Sequence, residues 1–144
     1  MRVIVQRCEN AFVKVNGQLI SQIDIGLCLL VGFTYGDTEV TVNKMINKII
    51  KLRIFPDENG VMNKNVLETN GSILSVSQFT LYADTKNGNR PSYIKALNGI
   101  EAKKLYDYFN KELAKSINVQ QGVFGADMEV TFTNMGPTTI ILEM

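Results

Sequence analysis

Hydrophobic positions follow strand periodicity in the first third of the chain and again near its end. Residues 3–7 read as a strand, and residues 11–15 and 18–20 flank Asn16-Gly17, a dipeptide favoured in two-residue hairpin turns. Residues 26–33 form a continuous apolar run with a glycine near each end, which is typical of a strand buried on both faces. We therefore expect this run in the centre of a sheet.

Two internal segments carry the three- and four-residue spacing of amphipathic helices. The first, which Asp37 or Thr38 can cap, has its apolar positions at Val42, Met45, Ile46, Ile49 and Ile50. The second spans residues 100–116, where Leu105, Phe109 and Leu113 form a stripe with four-residue spacing. A stripe of this kind indicates core packing and not a cofactor site.

Strands are also predicted at residues 128–133 and 138–143, on either side of Gly136-Pro137. Because strands outnumber the two helices, the predicted fold class is α+β, with a single curved sheet, mixed or antiparallel and barrel-like, and helices packed on it. The length fits one domain, residues 1–144. X-Pro bonds are cis in only about 5–6% of folded cases, so the residues alone favour a trans bond before Pro137.

Polar groups interrupt the apolar run at residues 75–84, which makes this stretch the candidate site. Read with a period of two, one face holds Leu74, Val76, Gln78, Thr80 and Tyr82, and the other holds Ile73, Ser75, Ser77, Phe79 and Leu81. An unpaired buried hydroxyl or amide costs roughly 1–3 kcal/mol, so these groups either pair with backbone or line a wet pocket at a strand end. Residues 85–90 are polar and basic, and Pro91 is predicted to begin a short helical turn.

Composition narrows the range of partners. Fifteen Lys and Arg residues against fourteen Asp and Glu residues argue against a strongly basic protein that grips duplex nucleic acid. Cys8 and Cys28 lie in apolar segments without CxxC spacing, so we expect reduced core thiols. No apolar run approaches the ~18 residues of a membrane helix, and we expect a cytoplasmic protein without membrane contact.

The absence of histidine excludes His-based acid/base catalysis and Ser-His or Cys-His nucleophile pairs. A hydroxyl nucleophile at Ser75, Ser77 or Thr80 would need a lysine or carboxylate as base, and the spacing supplies none. Asp84 and Asp127 form an acid/base pair only if the fold brings them together. We expect neither a metal nor a cofactor.

Two stretches resemble the signature motifs of the D-aminoacyl-tRNA deacylases: Ser77-Gln78-Phe79-Thr80-Leu81 with the four residues after it, and residues 134–139 with Gly136-Pro137. Further matches to the family's order and spacing occur at residues 1–7, 36–38, 52–55, 86–91 and 124–128. The resemblance therefore spans essentially the whole chain. One departure is Met135, where family members commonly carry aspartate.

The resemblance implies hydrolysis of the ester between tRNA and a D-amino acid, or mischarged glycine. Catalytic residues would be Ser77, Gln78, Phe79 and Thr80, with backbone N–H groups around Phe79 and Thr80 stabilising the oxyanion. The resemblance further implies a homodimer with its active sites at the subunit interface, where a cis Gly136-Pro137 reaches into the partner's site and excludes L-amino acids. Substrate-binding residues would be Gly136, Pro137, Met128, Lys86 and Arg90, the last two near the phosphates of the tRNA CCA end.

Two alternatives stay open. One is a dimeric tRNA-end binding module with little or no activity, for which Met135 is the only hint. The other is a conventional Ser/Thr hydrolase acting on small esters or peptides, which would require Ser77 or Thr80 to be chemically essential.

Overall fold

In a computed structural model that describes all 144 residues, a long hairpin forms the centre of the sheet. Its strands are β1 (Arg2–Val15) and β2 (Gln18–Gly32). They join at Asn16-Gly17, where φ is 50° and 75°, as the mirror-image turns of two-residue hairpins require. The predicted turn is confirmed, but the short strands predicted around it are parts of two longer ones. Asn10, with φ of 51°, marks the irregular point that makes β1 look divided in the sequence.

The sheet has five strands in the order β6-β5-β2-β1-β7, with β5 at Ser72–Ser77, β6 at Val119–Gln121 and β7 at Glu129–Glu143. Strand β1 runs antiparallel to β2 and β7, while β5 runs parallel to β2 and β6. A separate small hairpin pairs β3 (Phe55–Pro56) with β4 (Met62–Lys64). The mixed sheet and the central position of residues 26–33 are confirmed.

Two helices pack on one face of the sheet. Helix α1 (Glu39–Ile50) begins after Thr38, one of the two predicted caps, and buries Val42, Met45, Ile46 and Ile49. Helix α2 (Gly99–Leu113) begins after Asn98, whose side-chain oxygen accepts a hydrogen bond from the Glu101 backbone N–H. Leu105 of the predicted stripe is only partly buried, whereas Tyr106 is fully buried. The packed face is therefore rotated slightly from the predicted one.

The opposite face of the sheet carries a second, smaller core. Seven buried residues of β1, β2 and β5 form it, and Met128, Val130 and Phe132 pack against them. The segment between β6 and β7 covers this core, where a Cβ on Gly122 would lie 2.5 Å from the Met128 sulfur. Strands β6 and β7 form the two edges of an open sheet, which is not closed into a barrel.

Three local predictions are wrong. The predicted strand through the candidate site stops at Ser77, and Phe79–Tyr82 forms a short 3-10 helix. No helical turn begins at Pro91; instead Asp84 and Ser92 pair as an isolated antiparallel bridge. The two predicted C-terminal strands are one strand, β7, with shifts in its register against β1.

The Gly136-Pro137 peptide is cis. The trans bond favoured by residue statistics is therefore wrong, and the cis bond implied by the family resemblance is present. Cys8 and Cys28 are free and buried, as expected, and burial raises the pKa of each thiol to about 12. Neither helix has the length and apolarity needed to cross a membrane.

Candidate active site

A cavity of about 500 Å³ opens where β2 and β5 end. Its walls come from four segments of the chain: residues 31–33 at the end of β2, residues 76–79 from the end of β5 into the 3-10 helix, residues 97–102 around the start of α2, and residues 124–130. Of the predicted catalytic residues, Ser77, Gln78 and Phe79 line it directly. The polar interruption in the apolar pattern therefore does mark a cavity at a strand end.

The turn from strand to 3-10 helix depends on a close backbone approach between Gly32 and Gln78. The Gln78 N–H donates to the Val31 carbonyl over 2.7 Å, which holds the chain against the end of β2. A Cβ on Gly32 would lie 2.8 Å from the Gln78 carbonyl oxygen, closer than real Cβ contacts allow. Glycine at position 32 is what lets the chain leave the sheet at this point.

The 3-10 helix sets the chemistry available at Phe79 and Thr80. Backbone N–H groups in the first turn of a helix have no acceptor within the helix, and these two residues occupy that turn. The Thr80 hydroxyl accepts a hydrogen bond from the Gln78 side-chain amide. Two main-chain donors thus begin a helix beside the cavity, while the neighbouring hydroxyl is paired with an amide and not with a base.

Beneath the cavity, Tyr106 of α2 holds the strand that leads into it. The Tyr106 hydroxyl donates to the Ser75 carbonyl over 2.8 Å and accepts from the Ser75 hydroxyl over 3.3 Å. Burial raises the pKa of Tyr106, so its phenol stays protonated as a donor. Ser75, fully buried in this contact, is structural and does not face the cavity.

The wall opposite β5 is formed by residues 124–128. The Phe124 ring packs against the Tyr106 ring with centroids 5.7 Å apart, so Tyr106 supports two walls at once. Met128, a predicted substrate-binding residue, lines the cavity and rests on Gly122.

Asp127 lines the cavity, whereas Asp84 lies outside its lining. The Asp84 carboxylate accepts hydrogen bonds from the Lys95 ammonium at 2.8 Å and the Lys86 N–H at 3.0 Å. Lys95 first, and then the Lys86 backbone, lower the pKa of Asp84. The Asp84 carboxylate therefore binds groups of its own loop, and no Asp84–Asp127 acid/base pair forms in the cavity.

The remaining predicted site residues lie outside this cavity. Lys86 and Arg90 are exposed on the loop after the 3-10 helix. Gly136 and Pro137 are exposed on β7. None of these four contributes to the cavity lining of the single chain, and neither does the predicted catalytic residue Thr80.

Arg7 supports the Gly136-Pro137 segment from below. Its Nε donates to the Met135 carbonyl over 3.2 Å, and its Nη1 donates to the Ile54 carbonyl over 2.7 Å. Gly136 has φ of 116°, and a Cβ there would lie 2.8 Å from Arg7 Nη2. Only the backbone of Met135 enters this contact, so methionine in place of aspartate leaves it intact.

The sequence model of the D-Tyr-tRNA(Tyr) deacylase family matches residues 4–143. The chain belongs to this family. It is 54% identical over 144 residues to a D-aminoacyl-tRNA deacylase of Listeria innocua, covering 99% of this chain and 96% of the relative. It is 51% identical to a D-aminoacyl-tRNA deacylase of Limosilactobacillus reuteri, covering 99% of each.

Two solved structures superpose on the whole chain. A structure titled "c-Myc DNA Unwinding Element Binding Protein" superposes with a TM-score of 0.95 at 39% identity, covering 100% of this chain and 99% of that one. A probable eukaryotic D-amino acid tRNA deacylase superposes with a TM-score of 0.85 at 17% identity, covering 99% and 98%. Both structures therefore share the fold of this chain.

Sequence reasoning on this deacylase-family chain missed part of the cavity. Leu97 lines it just before α2, Gly99 and Ala102 line it from the start of α2, and Gly32 lines it from the end of β2. The glycine carried a usable signal, since glycine inside an apolar strand often marks a close backbone approach. Leu97 and Ala102 carried none, because only the packing of α2 on the sheet brings them to Ser77.

Proposed function

We propose that the protein hydrolyses the ester bond of D-aminoacyl-tRNA, and of mischarged glycyl-tRNA, releasing free tRNA and the amino acid. The reaction proofreads chirality in translation and takes place in the cytoplasm, with residues 1–144 acting as one deacylase domain. The observation that carries the proposal is the cavity formed by Ser77, Gln78 and Phe79 opposite residues 124–128, in a chain that belongs to the deacylase family. Membership makes the chain an ester hydrolase of the D-aminoacyl-tRNA deacylase type.

An aminoacyl ester is already reactive, so positioning and charge stabilisation suffice for catalysis. In many acyl transfers, donors aimed at the developing oxyanion stabilise the transition state more than any other group, typically by about 2.7–4 kcal/mol for one donor. The N–H groups of Phe79 and Thr80 at the start of the 3-10 helix serve this role. A bound water attacks the carbonyl carbon with help from the 2′-hydroxyl of the substrate's own ribose. This scheme requires no histidine, and the chain has none.

The pairing of Thr80 with Gln78 weighs against a conventional Ser/Thr hydrolase. A nucleophilic hydroxyl must give its proton to a base. The Thr80 hydroxyl meets a side-chain amide, and Asp84 is occupied by Lys95. The side chains of Ser77 and Gln78 line the cavity, the Thr80 hydroxyl holds the Gln78 amide beside it, and the main chain supplies the donors.

Chiral selection rests on a homodimer. Gly136 and Pro137 are exposed and lie outside the cavity of their own chain, yet Arg7 holds the neighbouring backbone firmly. In the dimer each Gly136-Pro137 segment enters the partner's cavity, where its backbone collides with L-side chains and tolerates glycine. Met128 lines the pocket for the bound end of tRNA, and Lys86 and Arg90 hold phosphates of the CCA end.

The deciding experiment follows radiolabelled D-tyrosine on D-tyrosyl-tRNA incubated with purified protein. Multiple turnovers of released D-tyrosine are expected. Retention of intact D-tyrosyl-tRNA on the protein without release would favour the alternative, a binding module for tRNA ends. Sedimentation of the same sample tests the dimer, and full activity in a monomer at nanomolar concentration would reject the shared site.

A further inference from the structure

Two exposed aromatic rings stand at the mouth of the cavity. The rings of Phe79 and Tyr93 meet edge to face, with centroids 5.0 Å apart and planes at 66°. Phe79 is 57% exposed and Tyr93 is 40% exposed. Phe79 also lines the cavity, while Tyr93 lies outside it. The pair therefore extends an apolar surface from the cavity out to solvent.

The backbone around Tyr93 is held in place. Asp84 and Ser92 exchange two backbone hydrogen bonds of 2.8 and 2.9 Å, and the Ala96 N–H donates to the Tyr93 carbonyl over 2.9 Å. Leu97, which lines the cavity, donates from its N–H to the Phe33 carbonyl over 3.0 Å. Tyr93 is thus tied on both sides to the structure that builds the cavity.

Positive charge collects on the same segment. Residues 79–98 carry three basic side chains and one acidic one, a surplus of two in a chain whose net charge is +1. The acid, Asp84, pairs with Lys95. The side chains of Lys86 and Arg90 are therefore the two cations in this segment that make no ion pair.

The volume of the cavity limits how much of the tRNA end fits inside it, and so which nucleotide lies against the two rings. Small-ligand sites commonly measure about 300–1,000 Å³, and a volume of about 500 Å³ suits one nucleoside with its amino acid. When the terminal aminoacyl-adenosine is inside, the nucleotide before it lies at the mouth. That nucleotide brings a base with two flat faces and a phosphate, which match an exposed aromatic pair and unpaired cations.

We propose that Phe79 and Tyr93 form a stacking subsite for the penultimate base of the tRNA 3′ end, with Lys86 and Arg90 neutralising the adjoining phosphates. This subsite rests on the proposed function, since it needs the aminoacylated end in the cavity. The partner of this aromatic pair is a single-stranded RNA end, because stacking on aromatic rings requires an unpaired base.

The test compares two ester substrates that differ by one nucleotide: D-tyrosyl-adenosine and D-tyrosyl-cytidylyl-adenosine. In the wild-type protein, the added cytidine should raise kcat/KM by about thirtyfold, the middle of the range for stacking one base on an aromatic side chain. Tyr93→Leu, which keeps an apolar side chain beside Phe79, should lose this gain and cleave D-tyrosyl-adenosine at the wild-type rate. Tyr93→Phe should keep the gain.

Phe12→Leu is the matched control, because Phe12 lies near the turn of the β1–β2 hairpin, at the opposite end of β2 from Gly32. Phe12→Leu should leave kcat/KM unchanged for both substrates. The subsite is wrong if the added cytidine does not raise kcat/KM in the wild-type protein. It is also wrong if Tyr93→Leu lowers kcat/KM equally for both substrates, or for neither. Cleavage of D-tyrosyl-tRNA alone, with neither short substrate cleaved, would also reject it. Failure to cleave any of the three would instead reject the proposed function.

The binding of phosphates by Lys86 and Arg90 is tested through salt. Lys86→Gln with Arg90→Gln should lower the salt slope of tRNA binding by roughly 0.7 for each phosphate that is no longer neutralised. Lys44→Gln with Lys48→Gln removes the same charge from exposed positions on α1 and should leave the slope unchanged. If both double variants lowered the salt slope equally, the effect would come from net charge alone, and this part of the proposal would be wrong.

Discussion

The Tyr106 hydroxyl donates a hydrogen bond to the carbonyl oxygen of Ser75, 2.8 Å away, and the same oxygen accepts the Gly122 N–H over 2.9 Å. One buried carbonyl therefore joins helix α2, strand β5 and the end of β6 directly beneath the cavity. Ser75 precedes the proposed catalytic residues, which begin at Ser77, by two residues, so these hydrogen bonds connect the core to the candidate site.

Tyr106→Phe removes the hydroxyl without removing the ring that packs on Phe124. A typical intramolecular hydrogen bond contributes about 1 kcal/mol, so the free energy of unfolding should fall by about that amount. The rate of D-tyrosyl-tRNA hydrolysis should fall as well, with kcat affected more than KM, because β5 is less firmly held against α2. Urea unfolding and steady-state kinetics measure both. Ser75→Ala keeps the carbonyl and should cost less than Tyr106→Phe, and the reverse order would contradict this assignment.

Gly32→Ala tests the close approach that turns the chain into the site. The added methyl would lie 2.8 Å from the Gln78 carbonyl oxygen and 3.2 Å from the Leu81 Cβ, so the 3-10 helix must move. Overpacking of this kind costs typically about 1–3 kcal/mol, and hydrolysis should fall at least tenfold because Phe79 and Thr80 move together. Urea unfolding and kcat/KM for D-tyrosyl-tRNA measure the two effects.

A matched glycine variant separates this effect from that of any added methyl group. Gly99 has open space around the position of its Cβ and begins α2. Gly99→Ala should therefore leave the free energy of unfolding unchanged or higher. Equal stability of the Gly32→Ala and Gly99→Ala proteins would show that the Gly32–Gln78 approach is not tight.

Thr80→Ala distinguishes main-chain catalysis from a nucleophilic hydroxyl. The hydroxyl only pairs with the Gln78 amide, so its removal should lower kcat modestly, by less than about tenfold. Removal of a true nucleophile costs several orders of magnitude. A drop of that size in a folded Thr80→Ala protein would overturn the oxyanion assignment.

Arg7→Met tests the support beneath Gly136-Pro137. The variant removes the donors to the Met135 and Ile54 carbonyls while keeping much of the apolar stem. The Gly136-Pro137 segment should lose its fixed position, so the ratio of D- to L-tyrosyl-tRNA hydrolysis should fall. Arg7→Lys, which can reach one of the two carbonyls, should give an intermediate ratio. An unchanged ratio in a folded Arg7→Met protein would show that chirality is read elsewhere.

Local signals in the sequence predicted much of the fold. The Asn16-Gly17 turn, the Thr38 start of α1 and the buried run at residues 26–33 each depend on neighbours in the chain, and each is confirmed. The strand predicted through Gln78 fails because its end is decided by Gly32, which is distant in sequence.

In the candidate site too, local sequence signals were readable and contacts between residues distant in sequence were not. The polar residues Ser77 and Gln78 stood out against their apolar neighbours, and they do line the cavity together with Phe79. The contribution of Tyr106 was hidden, because a tyrosine within a helix stripe looks like ordinary core until its hydroxyl is found on Ser75. The effect of Met135 was also hidden, because the hydrogen bond there uses a backbone carbonyl that every residue has.

The most direct test of chiral selection is to measure kcat/KM of the wild-type protein for D-tyrosyl-tRNA, L-tyrosyl-tRNA and glycyl-tRNA. If backbone collision excludes L-side chains, the D-ester and the glycyl ester should be hydrolysed and the L-ester should remain at its spontaneous rate. Comparable hydrolysis of the D- and L-esters would contradict a chirality-selective deacylase.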